Sequence, residues 1–289
     1  MALADISGAF DLHIHSAPCL FPRIGDDLDL ARHAAEANLS GILLKSHFES
    51  TVGRAALVRK VMPAVGVFGG LVLNGFTGGL NPLAVENALK MGARQIWFPT
   101  VDSWAHQKVY GHTGGFGYQE SGRTVPQRGI RILSRGQLRK EAKVIVEMVR
   151  DSGAILGTGH LGKEEIFPLT SFAREIGFTR LLITHPFFRP PALALSDLVE
   201  LSRQGAHLEF CGGELYPIPG GGNIDVFRRA IAEVGARSIV VSSDAGQPRK
   251  SLPAEVLRIF AQCLMEKGVT QEELDVMMKE NPRLLLGIQ

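Results

Sequence analysis

Short apolar runs and stripes of apolar residues at helical spacing alternate along nearly the whole chain. Runs that are largely apolar and close on polar residues fall at 10–16, 41–47, 65–74, 95–101, 154–160, 180–185, 207–211 and 238–244. Their lengths and their flanking turn residues predict strands. Between them, residues 28–38, 51–61, 81–91, 137–150, 163–176, 196–203 and 223–234 repeat apolar positions three and four apart, which predicts helices. Asp26 or Asp27 is placed to cap the first helix, and Pro82 suits the opening turn of the third. Strands that are apolar throughout are expected in a parallel sheet covered on both faces. Eight of them, nearly every one followed by a helix, are the number that closes a barrel. The expectation is an α/β fold, a single (β/α)8 TIM barrel over residues 1–289. A doubly wound open sheet is the alternative, because periodicity alone does not establish closure.

One interval breaks the rhythm. Residues 102–135, between the fourth strand and its helix, are rich in glycine and carry Trp104, His106, Tyr110, His112, Phe116 and Tyr118. Loops this long without elements of their own are uncommon and often serve as lids or binding loops. Solvated loops seldom hold so many aromatics. The segment is expected to cover the carboxyl face of the barrel and to bring Trp104 or His106 near the chemistry, and it has room for a small hairpin.

Composition narrows the class. A 289-residue chain with 45% hydrophobic and 21% charged residues is ordinary for a globular protein, which excludes disordered and fibrous architectures. A net charge of +2 gives no basic footprint for nucleic acid. The three cysteines, Cys19, Cys211 and Cys263, lie far apart and are odd in number, which argues against a disulfide framework and for a reducing cytoplasm. No apolar run approaches the roughly 20 residues needed to span a bilayer, so no membrane partner is expected.

In barrel enzymes the active site sits at the carboxyl ends of the strands. Here those ends are polar: His13 and His15 close the first strand, Lys45 and His47 the second, His160 the fifth, His185 the sixth and Asp244 the eighth. Five of the nine histidines thus gather at one end of the predicted sheet, where chance would scatter them over helices and loops. His13 and His15 are two apart, so they share a face of their strand and form a two-nitrogen platform for zinc or a similar ion. Each residue alone has a plainer reading, since His185 before Pro186 can cap a strand and Asp244 before Gly246 can start a turn. The coincidence of all five favours a metal site.

This set resembles the amidohydrolase superfamily of metal-dependent hydrolases. The resemblance is carried by His13-x-His15, by His160 in Gly157-Thr158-Gly159-His160, by His185 in Ile183-Thr184-His185-Pro186, and by Asp244 in Ser242-Ser243-Asp244. The ending Asn281-Pro282-Arg283-Leu284-Leu285-Leu286-Gly287 looks like that superfamily's Asn-Pro-Ala-x-x-Leu-Gly. It implies that His13, His15, His160, His185 and Asp244 hold one or two divalent ions, zinc first with manganese or iron as alternatives, and that Asp244 takes a proton from the activated water. General chemistry supports the same division, because neutral imidazoles leave the ion its charge to acidify water and a nearby carboxylate can take the proton.

The departure is Lys45. Many binuclear members carry a carboxylated lysine after strand four, where this chain has Trp97, Phe98, Pro99 and Thr100. Lys45 closes strand two and shares a face with His47, so both are candidate catalytic groups; Lys45 is expected to pair with Glu209 across the barrel, to be deprotonated, or to be carboxylated. A second resemblance, to phosphoesterases of the polymerase-and-histidinol-phosphatase type, rests on that strand-two histidine, although Ser243-Asp244-Ala245-Gly246 lacks their Asp-x-His. Pro219-Gly220-Gly221-Gly222-Asn223 and Gly78-Gly79-Leu80-Asn81-Pro82 open helices and are either phosphate cradles or plain capped turns. Trp104, His106, Arg189 and Glu209 are candidate substrate contacts, and Arg23 and Arg189 suit an anionic group. The expected function is hydrolysis of a C–N or C–O bond, in an amide, cyclic amide, lactone or ester, by metal-activated water on a small molecule. The alternatives are a metal-dependent phosphoesterase and a metal- or ligand-binding barrel without catalysis, and a homo-oligomer is an open alternative to the lone chain.

Overall fold

The structure is a computed structural model that describes residues 3–215, 223–248 and 250–288. Eight parallel strands follow one another in the order β1 (Phe10–Ile14), β2 (Gly41–Leu44), β3 (Gly66–Val72), β4 (Gln95–Trp97), β7 (Ile155–Gly157), β8 (Leu181–Thr184), β9 (His207–Cys211) and β10 (Ile239–Ser242). The ends of this sheet meet. His15 N donates to the Ala245 carbonyl at 2.8 Å and Ser243 N donates to Asp11 Oδ1 at 3.0 Å, which closes a (β/α)8 barrel. The open sheet is thereby set aside. Each barrel strand falls inside an apolar run of the sequence, and all but β9, which takes up the whole of 207–211, are shorter than their runs because the polar residues beyond them have already left the ladder.

Two apolar layers hold the barrel. Outside, Ile42, Leu44, Ile96, Leu156, Ile183, Leu208 and Val241 face the helices. Inside, Phe10, Leu12, Leu43, Val72, Trp97, Ile155, Leu182 and Val240 fill the lumen, and Leu285 and Leu286 of the last helix close its amino end. Trp97 fits because β3 and β7 carry Gly70 and Gly157 against it; a Cβ at either would run into the indole. Above this plug the lumen turns polar, with Lys45, His13 and Glu209 all buried. Among the described residues no helix is long and apolar enough to cross a membrane.

The interval after β4 has elements of its own, a helix and the small hairpin for which it has room. A short helix, α4 (Trp104–Tyr110), is capped by Ser103, whose hydroxyl accepts from His106 N at 2.9 Å, and it ends at Gly111 with φ 81°. A hairpin of β5 (Leu133–Ser134) and β6 (Gln137–Leu138) follows. Gln137 therefore lies in a strand and not in the helix, which begins at Lys140; Arg135 and Gly136, at φ 50° and 79°, make the turn that separates them.

Candidate active site

His13 does not follow the alternation of its strand. The register between β1 and β2 slips by one residue between Asp11 and Ile14, a bulge that turns both Leu12 and His13 into the lumen. Asp11 steadies the bulge by accepting from His13 N at 3.2 Å and Ser243 N at 3.0 Å; burial raises its carboxyl to about 6. His13 Nδ1 lies 3.3 Å from Glu209 Oε2, and Lys45 Nζ lies 2.8 Å from His13 Nε2. The assignment that satisfies both places the His13 proton on Nδ1, towards the carboxylate, and a lone pair on Nε2. Glu209, expected to answer Lys45, meets it through His13, and Ser242 Oγ holds its other oxygen at 2.9 Å.

His15 Nδ1 donates to the Lys45 carbonyl at 3.1 Å, so its Nε2 lone pair also faces inward. Asp244 Oδ1 lies 3.3 Å from His13 Nε2 and 3.2 Å from His15 Nε2. Ligand atoms about 2.0 Å from a tetrahedral ion stand about 3.3 Å from one another. The three atoms fit a divalent ion on spacing, and the acceptors behind the two imidazoles, the Glu209 carboxylate and the Lys45 carbonyl, place the lone pairs on the right nitrogens, with Lys45 Nζ on that of His13. A second group, His13, Glu209 and Cys211, is as compact but does not fit. Its His13 nitrogen carries the proton, and burial, then Glu209 and Asp244, push the Cys211 thiol well above its ordinary range, away from the thiolate a metal needs.

His160 and His185 stand beside the trio, with ring centroids 5.0 Å apart and His185 5.9 Å from His13. His160 is oriented from the insertion. His106 Nε2 donates to the Gly115 carbonyl at 2.7 Å, which makes His106 Nδ1 an acceptor for His160 Nδ1 at 3.0 Å and leaves His160 Nε2 with a lone pair. Ser103 Oγ donates to the His160 carbonyl at 2.6 Å and pins α4 to the end of β7. His185 Nδ1 is buried without a hydrogen-bond partner, as a nitrogen kept for an ion or substrate would be. Burial holds His15, His47 and His160 well below the ordinary imidazole range and His185 at about 3, so all four present neutral rings. Asp244 Oδ1 faces the Nε2 lone pairs of His13 and His15, an arrangement that is repulsive until a cation lies between them.

His47 lies beside His15, rings 4.8 Å apart. Its Nδ1 meets Thr100 Oγ1 at 2.8 Å, and Asn74 Nδ2 donates to the same hydroxyl at 2.7 Å. The assignment that also gives the Thr100 hydroxyl proton a partner has Thr100 donate to His47 and the His47 proton on Nε2. The sequence search named neither Asn74 nor Thr100 as a site residue. Both end strands, and that position was their only signal.

A cavity of about 760 Å³ opens above the cluster, lined by His15, Lys45, His47, His160, His185 and Asp244 at its floor. Phe116, Tyr118, Gln119 and Glu120 from the insertion form one wall, and Arg23, Phe188, Arg189, Glu214, Gln247 and Lys250 complete the rim. Of the expected substrate contacts only Arg189 lines the cavity. His106 is fully buried behind His160, Glu209 lies beneath His13, and Trp104 lies away from the cavity under Arg131, 3.7 Å from ring centroid to guanidinium. The aromatic that reaches the site is Phe116, whose ring is 6.3 Å from His47 and 6.0 Å from His160. Residues 219–222 of the proposed phosphate loop lie outside the described residues. Gly78 and Gly79 adopt φ 92° and 66° in a turn whose Asn81 caps the next helix, the plain-turn reading.

Comparison with known proteins agrees with this architecture. A family model described as a family of unknown function (DUF6282) matches residues 8–209, from the first barrel strand into the strand that carries Glu209. No curated protein matches significantly. An amidohydrolase from Pseudomonas aeruginosa superposes with a TM-score of 0.64 at 12% identity over 97% of this chain and 95% of that one. An organophosphorus hydrolase from Deinococcus radiodurans gives 0.60 at 15% identity, over 99% and 94%. A 2,6-dihydroxybenzoate decarboxylase from Rhizobium gives 0.57 at 12%, over 97% and 99%. These neighbours are amidohydrolase-superfamily proteins, and at such identities what they share with this chain is the barrel.

Proposed function

The chain belongs to the family of unknown function DUF6282, and from that premise and the geometry of its barrel mouth we propose that it is a metal-dependent hydrolase acting on a C–N or C–O bond of a small molecule. The observation that carries the reading is the convergence of His13 Nε2, His15 Nε2 and Asp244 Oδ1 at ligand spacing, with the far side of each imidazole already fixed by a carboxylate or carbonyl. His13, His15 and Asp244 would hold the ion, with His160 and His185 beside them. A divalent ion there, zinc being the expected one, lowers the pKa of water towards about 7 and polarises an oxygen of the scissile group.

The chain's own residues supply the rest. Asp244 orients the attacking water and accepts its proton. His47, with its proton on Nε2, donates a hydrogen bond into the cavity as charge develops on the substrate. Lys45, whose ammonium burial pulls below its ordinary range, is placed to hand a proton to the leaving group. Phe116 and Phe188 limit water above them.

The test is metal analysis of the purified protein and of His13→Ala, with a panel of esters, lactones, amides and phosphate esters. Stoichiometric ion in the wild type, lost in a folded His13→Ala, together with ester, lactone or amide turnover is the expected result. Unchanged ion content in the variant would falsify the ligand assignment. Stoichiometric ion with no turnover on any class favours a binding barrel, and turnover confined to phosphate esters favours the phosphoesterase.

A further inference from the structure

One guanidinium that lines the cavity above the histidines forms no ion pair among the described residues. It belongs to Arg23, in the loop after β1, and its Nε and Nη2 are buried without hydrogen-bond partners. Those two atoms are the side-on edge of the guanidinium, the pair of parallel donors that matches the two oxygens of a carboxylate. Leaving a buried charged donor unmet is costly, so an Arg held this way points to a ligand that meets it.

No carboxylate that shares the cavity forms an ion pair with Arg23. Asp244 faces His13 and His15, and Glu120 accepts from Gly117 N and pairs with His112 at 2.9 Å. Glu214 is buried, and its environment favours the neutral acid. The other wall is aromatic: Phe116 and Phe188 meet edge to face with ring centroids 6.5 Å apart, Tyr118 stacks on Phe116 at 5.7 Å, and Phe188 also leans on His185 at 4.9 Å. That wall runs from the mouth down to the histidines.

We propose that the site selects a monoanionic carboxylate on a flat, apolar body, with Arg23 binding the carboxylate and Phe116 and Phe188 the body, so that the bond to be broken faces Asp244 and His47. This specificity rests on the hydrolase reading. A dianionic phosphate would bring its second charge towards Asp244, which a carboxylate held by Arg23 does not. About 760 Å³ accommodates a ligand of one or two rings.

Calorimetric titration with benzoate, its neutral isostere benzamide and phenylphosphonate tests the proposal, on zinc-loaded and on chelator-treated protein. Wild type should prefer benzoate to benzamide by about tenfold or more, with or without zinc. Arg23→Met should erase that preference while zinc content and thermal midpoint stay unchanged, and Arg23→Lys should restore part of it. Phe116→Ala should weaken both benzoate and benzamide and leave their ratio intact. Absence of benzoate binding, a preference that survives Arg23→Met, or one present only with zinc overturns the assignment, and tighter binding of phenylphosphonate overturns the choice of carboxylate. Because the preference is read on chelated protein, it stands or falls apart from the hydrolase: failure of metal binding or turnover leaves it intact, and its own failure leaves the metal centre untouched.

Discussion

Replacing His106 with Phe should weaken metal binding although His106 never touches the cavity. The substitution keeps the ring that stacks on Tyr110 at 4.4 Å and meets Phe116 edge-on at 5.0 Å, and it removes the acceptor that faces His160 together with the donor to the Gly115 carbonyl. In the native site the Gly115 carbonyl fixes the proton of His106 on Nε2, and His106 Nδ1 fixes that of His160 on Nδ1. Burial keeps His106 neutral, at about 4, so the relay has a single direction. Without the acceptor, His160 either strands a buried N–H, at a cost of about 1–3 kcal/mol, or moves its proton to Nε2 and ceases to be a ligand. Either way the ligating tautomer loses about 1–3 kcal/mol, which is roughly 5- to 150-fold in metal affinity. Competition against a chromophoric chelator measures the affinity, and circular dichroism checks that the barrel is intact. His106→Gln, which restores an acceptor, should recover part of the loss. An affinity within about twofold of wild type in a folded His106→Phe would show that His160 is not a ligand or that its tautomer is set by something else.

Lys45→Met should abolish turnover and retain the ion; ion and turnover falling together in metal analysis and assay would instead mark Lys45 as a carboxylated ligand. Gly159→Ala should cost about 1–3 kcal/mol in denaturant unfolding, since φ 59° disfavours a side chain and a Cβ there runs into the Phe98 and Pro99 carbonyls; it should also loosen ion binding through His160, and a neutral effect on both would refute the packing argument. Glu165, buried and accepting from Ile132 N at 2.8 Å, has a carboxyl raised above 4.5 by burial, so the stability it contributes is complete below that value and is lost as pH rises through the folded pKa. Glu165→Gln should therefore gain on wild type as pH rises from 4.5 to neutral, and parallel stability curves for the two proteins would contradict this.

The strands and their order were legible because the signal is strong: a parallel sheet buried on both faces needs apolar residues at every position, and turns must interrupt it. The insertion was legible as a site element and not in its details. Seven residues of α4 offer too few turns to show a period, and which aromatic reaches the mouth depends on the turn at Gly114 and Gly117, both at positive φ, that presents Phe116 in place of Trp104. His106 was found by its residue type and lies near the chemistry as expected, but it meets His160 in place of a substrate, and a contact between 106 and 160 has no local trace in either segment. Asn74 and Thr100 escaped for the reverse reason. Their types are common at strand ends, and only the shared hydrogen bonds to His47 set them apart.

Alternation itself would have misplaced four of the histidines, His13, His15, His160 and His185, on three strands. Leu12 belongs to the inner cluster, so an unbroken strand turns His13 and His15 outward; the bulge before Ile14 turns them in. On β7, Ile155 and Gly157 face the lumen, which would send His160 outside; Gly159 at φ 59°, where only glycine fits against the Phe98 carbonyl, redirects the chain. On β8, Leu182 is inside and so Thr184 is, which would send His185 outside; His185 takes φ 31° and turns back over the mouth, where Phe188 N donates to its carbonyl at 2.9 Å. His47 needs no such device, since Leu43, Lys45 and His47 share one parity. The barrel thus completes its apolar interior on the regular pleat and then breaks that pleat at three strands to bring nitrogen above it. A non-glycine residue at positive φ costs of order 1–3 kcal/mol, and surroundings must hold it there. Packing alone gives no reason to place a histidine in that conformation beside an unpartnered ring nitrogen, whereas a ligand that needs the nitrogen does.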